Sequence, residues 1–416
     1  MKTSAKNRID KIIGSKMRAD EGSVIEEVEN LEKQANVERS TVDVQPPKTE
    51  NAVRHIYVHI PFCARICPYC AFYKERADPA QTQRFCEALL IDLESVAQRF
   101  QLCTETIFFG GGTPTALSTP QLEFVLRGLQ ARLDLRRVTE WTIEANPGSV
   151  SPRKAAMMMS SGVTRISLGV QSWDDPLLVL LGREHDAAQA ERSYRTLRDV
   201  GAKNVSIDLM FGLPGQTLAQ WEATLERTVA LEPEHISTYC LTYEEDTDFF
   251  LRHARGEYQR DIENEARFFE TSMRVLERAG YQQYEISNYA RPGYESAHNR
   301  GYWAGNDYLG VGPSAFSTVA AERWQNVCDY RSYTDRIAAR TSPVISIESL
   351  TPEIKRSEQI ALLLRTRWGV PAEWVKPWPN ECAELFDLDL LRKLDGRFAL
   401  TRKGRLLADT VTAAFV

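Results

Sequence analysis

From about residue 55 the chain alternates between two apolar patterns. Short runs rich in β-branched and aromatic residues recur: IYVHI (56–60), TIFFG (106–110), WTIEA (141–145), RISLGV (165–170), NVSIDLMFG (204–212) and HISTYCL (235–241). Between them lie longer segments in which apolar residues return every three or four positions, such as TQRFCEALLIDLESVAQRF, TPQLEFVLRGLQARL, AAQAERSYRTLRDVG and TLAQWEATLERTVAL. The short runs predict strands and the longer segments predict helices. Six strands, each followed by a helix, predict an α/β fold with a parallel sheet and helices outside it. The handedness of the crossovers curls that sheet into an open, partial (β/α)6 barrel. An open doubly wound sheet satisfies the same periodicity and is the rival.

The flanks read differently. Residues 1–50 form a disordered or targeting tail, in which VIEEVENLEKQANV spaces Val24, Val28, Leu31 and Ala35 at helical intervals. One such series is marginal alone, and VQPPKTEN then breaks any helix and leads into the folded body. The barrel is expected over 51–285, a connecting segment over 286–340 and a cap over 341–416. A helix is expected at about 258–280. The C-terminal part, from PEIKRSEQIALLLRTRWGV to LDGRFALTRKGRLLADTVTAAFV, reads as helix, helix, short hairpin, helix, a winged-helix-like order. Such units often bind nucleic acid, but here acidic and basic residues are mixed, so a structural cap is expected.

Composition narrows the class. A chain of 416 residues with 43% hydrophobic and 26% charged residues can bury a large core, and its net charge of -6 gives no sign of a nucleic-acid partner. No apolar run approaches the ~20 residues of a membrane helix, so a soluble protein is expected. The opening MKTSAKNRIDKIIGSK lacks the apolar stretch and cleavage site of a secretory signal. It contains one acidic residue, Asp10, which leaves organelle targeting open beside the plainer reading of a polar extension. Eight cysteines without such a signal fit a reducing, cytoplasmic setting. Cys86, Cys103, Cys240, Cys328 and Cys382 are scattered and read mostly as ordinary buried residues.

Polar residues at the carboxyl ends of parallel strands face the expected site. Cys63 to Cys70 follow the first strand and GGGTPT the second. Glu144 and Asn146 end the third, Gln171 and Ser172 the fourth, and FGLPGQT follows the fifth, so these features are expected to share one cleft. In YVHIPFCARICPYCAF, Cys63, Cys67 and Cys70 stand at C-x3-C-x2-C. Three thiolates are too many for one disulfide and too few for a closed tetrahedral zinc site. A zinc site completed by His59 or His55 is the plain alternative, at an unusual spacing. A four-iron cluster needs one ligand per iron. Three thiolates leave one iron open, and the amino and carboxylate groups of S-adenosylmethionine (SAM) suit it as a bidentate pair.

These residues resemble the radical SAM family, in its branch of oxygen-independent coproporphyrinogen III oxidase-like proteins. The resemblance runs from about residue 55 to the C-terminus and rests on YVHIPFCARICPYC, FFGGGTPT, EANPG, RISLGVQS, LGREH, DLMFGLPGQT and YEISNYA, in the family's order. It implies that Tyr57 and Tyr69 lie near the SAM and the cluster. It implies that Gly111, Gly112 and Thr113 approach the methionine amino group, and that Glu144, Gln171, Arg183 and Asp208 hold the carboxylate and ribose.

The branch contains two functional classes. Its true oxidases resemble C-x3-C-x2-C-x-C, whereas here Phe72 stands at the last cysteine's place. That departure points toward the HemW-type heme chaperones. HNRGYW (298–303) matches the HNxxYW motif associated with heme binding in that subgroup. An imidazole can ligate heme iron, and Tyr302 and Trp303 offer flat apolar surface. His298 is the only histidine after His253. A lone histidine is usually a hydrogen-bonded core or surface residue, and it is the complete motif that favours a heme role. Phe316, in LGVGPSAFS, stands where relatives often show histidine, and ligation by Cys328 stays open. Arg300 could clamp a propionate under either class. The expected function is a chaperone that binds heme or a related porphyrin and delivers heme to an unidentified acceptor protein. The alternative is the oxidase, decarboxylating coproporphyrinogen III propionates to vinyl groups. A third reading is radical chemistry on another small molecule.

Overall fold

The computed structural model describes residues 52–76 and 78–415. The tail expected over 1–50 lies outside them. Six parallel strands stand side by side in chain order: β1 (Val53–Ile60), β2 (Leu102–Gly111), β3 (Glu140–Ala145), β4 (Arg165–Gln171), β5 (Val205–Phe211) and β6 (His235–Cys240). Between and after them come α1 (Pro79–Arg99), α2 (Thr119–Arg132), α3 (Pro152–Ser160), α4 (Ala187–Asp199), α5 (Leu218–Ala230) and α6 (Ile262–Arg278). Their starts carry local stop-and-go signals: Ser118 with Gln121 and Thr217 with Gln220 form capping boxes at α2 and α5. Each such cap is worth about 1 kcal/mol.

Alternation along the strands separates two faces. Ile56, Val58, Ile107, Phe109, Trp141, Ile143, Ile166, Leu168, Val205, Ile207 and Ile236 are buried in one apolar cluster with the surrounding helices. Full burial of each such side chain contributes roughly 1.5–3 kcal/mol. The opposite parity carries His55, Tyr57, Thr106, Phe108, Glu140, Thr142, Glu144, Arg165, Ser167, Ser206, Asp208, His235 and Ser237. A parallel sheet packed on both faces is apolar throughout. This one instead turns a polar face into the concavity of the sheet, and Tyr57, Phe108, Glu144 and Asp208 keep partial solvent access there.

The segment 286–340, expected as a connection, supplies strands to the main sheet. Beyond β6 lie β7 (Gln282–Glu285) and β8 (Asn288–Ala290), with β8 antiparallel to β6. On the other flank β9 (Tyr308–Val311) runs parallel to β1, followed by antiparallel β10 (Phe316–Val319), β11 (Glu322–Asn326) and β12 (Val344–Ser349). The order is β12-β11-β10-β9-β1-β2-β3-β4-β5-β6-β8-β7, and its two ends are not paired among the described residues, so the barrel is open. Between β8 and β9 sits one short helix, α7 (Ala297–Trp303), which contains HNRGYW.

The C-terminal helices and hairpin follow in the expected order, but β12, within the expected 341–416 cap, pairs with the main sheet. After α8 (Tyr330–Ala338) come α9 (Pro352–Leu364), α10 (Pro379–Asp387) and a hairpin of β13 (Leu391–Leu394) with β14 (Arg397–Leu400). Asp395 and Gly396 turn that hairpin with φ of 42° and 76°, the left-handed pair a tight two-residue turn requires. The last helix is broken at Leu407 into α11 (Arg402–Leu406) and α12 (Ala408–Thr412). Ile360, Leu364, Leu385, Leu391, Val411 and Phe415 give the cap its own apolar cluster. Among the described residues no helix is long and apolar enough to cross a membrane.

Candidate functional site

The cysteines stand on the loop after β1. All three thiols are free and partly exposed. The Cys63 Sγ lies 3.6 Å from the Thr113 hydroxyl, and the Cys70 amide donates to the Cys67 carbonyl at 3.3 Å. Burial raises the thiols of Cys63 and Cys70 above their ordinary range, opposed first by the Thr113 hydroxyl at Cys63 and by Lys74 at Cys70. A bound metal reverses that preference by holding the thiolate form. No group of three potential ligands among the described residues converges on a single ion. The histidines that would complete a zinc site are occupied. His59 meets the Tyr57 hydroxyl at 3.0 Å and the Tyr73 carbonyl at 3.2 Å, and His55 meets Thr106 at 2.8 Å and Asn306 at 3.2 Å. Phe72 is 71% exposed and offers no ligand atom.

The turn after β2 closes tightly over this loop. The amide of Gly112 donates to the Ile60 carbonyl, and that of Thr113 to the Phe62 carbonyl, both at 2.8 Å. A side chain at Gly112 would stand 2.7 Å from the Pro61 backbone, so only glycine lets the two loops approach this closely. Arg183, in the connection from β4 to α4, bridges two parts of the site. Its guanidinium donates to the Gly169 carbonyl at 2.8 Å and reaches the Cys67 Sγ at 3.6 Å and the Tyr69 hydroxyl at 3.4 Å, while its buried Nε has no partner. Gln171 ends β4 at a bulge with φ of 68°, a conformation rare for residues other than glycine. That bend folds its amide over Gly169 beside Arg183.

Glu144 and Asp208 face each other across the concave side. Burial, then the neighbouring Asp208 carboxylate, pushes Glu144 up to about 8, against a hydrogen bond from the Gly111 amide. Burial also raises Asp208, opposed by Arg165 and by the hydroxyls of Ser167, Ser206 and Ser237. Ser167 donates to Asp208 at 2.8 Å and Ser206 at 3.0 Å. Tyr57 stacks on Phe108 with ring centroids 6.3 Å apart. Contacts thus join Cys63 to Thr113, Cys67 and Tyr69 to Arg183 and through it to Gln171, and Gly111 to Glu144 and its neighbour Asp208.

His298 belongs to the other end. Helix α7 is pinned by Glu140, whose carboxylate accepts from the Ser296 hydroxyl at 3.1 Å and from the Ala297 and His298 amides at 2.7 and 3.0 Å. An acid at a helix start satisfies amides that the helix itself cannot. The helix then presses against β1, where a side chain at Gly301 would stand 2.5 Å from the His55 ring. His298 is only 8% exposed; its Nδ1 meets the Thr106 hydroxyl at 2.8 Å and its ring lies against Phe108, centroids 5.1 Å apart. Burial, then the His55 ring and Arg165, holds this imidazole down to about 3, so it is neutral at ordinary pH. The rest of the motif faces elsewhere: Arg300 stacks on Trp368 of the cap at 4.9 Å, Trp303 packs beside Tyr284, and Tyr302 is exposed. Phe316 is exposed on β10, and the Cys328 Sγ accepts from Gln325 at 3.6 Å.

Residues 57–228 match the radical SAM superfamily. The heme chaperone HemW of Bacillus subtilis is 35% identical over 379 residues, covering 88% of this chain and 99% of that protein. The heme chaperone HemW of Escherichia coli is 40% identical over 266 residues, covering 64% of this chain and 70% of its own. The solved structure of coproporphyrinogen III oxidase (HemN) from Escherichia coli, a radical SAM enzyme, is similar with a TM-score of 0.75 over 88% of this chain and 90% of that one. At 22% identity that likeness speaks for the fold alone. The chain belongs to the heme chaperone HemW family of the radical SAM superfamily.

Proposed function

We propose that this protein binds heme and passes it to an acceptor protein, carrying a [4Fe-4S] cluster on Cys63, Cys67 and Cys70 completed by SAM. The observation that carries this reading is the exposed, ligand-free Phe72 at the position where the oxidases continue with a cysteine, in a chain similar to a heme chaperone over 99% of that relative's length. The cluster, when bound, supplies a redox centre and an iron that anchors the amino-acid end of SAM. The chain's own residues do the holding. The turn of Gly111, Gly112 and Thr113, held against the loop of Cys63, would offer its backbone to the amino group. Gln171 and Arg183 offer donors to the carboxylate, and Arg183 adds a positive charge next to Cys67. Glu144 and Asp208 present acceptors for ribose hydroxyls, with Tyr57 and Tyr69 as flanking rings. His298 is the candidate for heme iron. Thr106 holds its Nδ1, which leaves Nε2 of a neutral ring as the ligating nitrogen.

The test is a pair of assays on the anaerobically reconstituted protein. Stoichiometric heme binding is expected, together with no vinyl product from coproporphyrinogen III supplied with SAM and a low-potential reductant. Turnover of coproporphyrinogen III would replace this reading with the oxidase.

A further inference from the structure

The polar face of the sheet contains two buried groups that the protein leaves unsatisfied. Arg165 is 2% exposed and its Nε has no hydrogen-bond partner. Thr142 is 0% exposed and its hydroxyl has none either. The two are register partners on β3 and β4, at the parity that faces the concavity. A buried donor without a partner costs about 1–3 kcal/mol, so a pair of adjacent ones calls for an acceptor from outside the chain.

Their neighbours define what that acceptor is. Phe108, the register partner of Thr142 on β2, is partly exposed and carries the His298 ring on its face. Arg165 is close enough to act on the charge of His298, Glu144, Asp208 and His235. The negative groups nearby are largely answered: Glu140 by the start of α7, Asp208 by the Arg165 charge itself and by serine hydroxyls, and Glu144 by holding its own proton near neutrality, while the Arg165 Nε–H stays without an acceptor. The guanidinium is thus a positive charge with an unused N–H, beside an unused hydroxyl, an aromatic ring and an imidazole. Guanidinium with a hydroxyl suits a carboxylate.

We propose that Arg165 and Thr142 form a carboxylate-binding position in the barrel concavity, which receives one propionate of a porphyrin held beside His298. The assignment rests on the heme-carriage reading and adds a residue pair that orients the cargo by its acid edge. Two donors to one carboxylate give roughly a tenfold preference or more for an acid over its ester.

The experiment compares hemin with hemin dimethyl ester on the reconstituted full chain, for wild type, Arg165→Gln and Thr142→Val. Wild type is expected to prefer the free acid by about tenfold or more. Each variant is expected to shrink that ratio toward one, by losing affinity for hemin while binding the ester as before. Thr142→Val keeps the side-chain shape, so it decides the matter if Arg165→Gln fails to fold or to retain iron. An unchanged acid-to-ester ratio in Thr142→Val, or no preference in wild type, would overturn the proposal and leave heme carriage standing. If wild type bound neither compound, heme carriage itself would fall, and the proposal with it.

Discussion

The two ends of the concavity are built on opposite terms. The loop end, from Cys63 to Thr113 with Arg183, holds three free thiols and a buried Nε with no partner. The helix end pins α7 internally: Glu140 takes three donors, and Thr106 joins His298 to His55. One end is arranged for a cofactor to complete, and the other holds its helix in place with its own side chains while leaving Arg165 and Thr142 unsatisfied beside it. The difference shows where stability and function can be separated by substitution.

The sharpest break is at the loop end. Replacing any of Cys63, Cys67 or Cys70 by alanine is expected to abolish the reconstituted cluster, read as iron content and visible absorbance, with little loss of folded protein. Phe72→Ala should keep both. Retention of full iron in the cysteine variants would remove them as ligands.

The helix end should respond in the reverse sense. Glu140→Ala strips three donors of a buried acceptor, at a cost of about 3 kcal/mol. Denaturant unfolding should show that loss while iron binding per folded molecule stays unchanged. Equal stability of variant and wild type would mean that α7 is held by packing alone.

A pH-dependent effect lies between the ends. Glu144 has a carboxyl raised to about 8, so the folded state binds its proton more tightly than the unfolded chain does. Its contribution is fully present below the ordinary carboxylate range and is lost as pH rises through about 8. Glu144→Gln should therefore gain stability relative to wild type between about pH 4.5 and 8. Parallel stability profiles for the two proteins would contradict the shift.

These two ends also differ in how far they were legible. Cys63, Cys67 and Cys70 lie within eight residues, and strand order alone brings GGT, Glu144, Gln171 and Asp208 beside them. The barrel followed from six periodic runs for the same reason: its contacts join neighbours in the chain. The helix end depends on remote pairs, Glu140 with Ser296 and Thr106 with His298, separated by 156 and 192 residues. No local pattern announces those. One signal was present: Glu140, Thr142 and Glu144 alternate with Trp141 and Ile143, a polar face that a two-sided parallel sheet does not have. The strands β9 and β10, four residues each in a Gly- and Asn-rich stretch, are too short to separate from turns by pattern. The motif HNRGYW was visible, but not that its histidine and its arginine face different neighbours.

The most direct test of the account is a heme titration of the reconstituted protein, with wild type and His298→Ala compared by absorbance. The account predicts one heme per wild-type chain, and weaker binding with an altered spectrum in the variant. Indistinguishable titrations would remove His298 as the iron ligand, and a wild type that binds no heme would contradict the account at its centre.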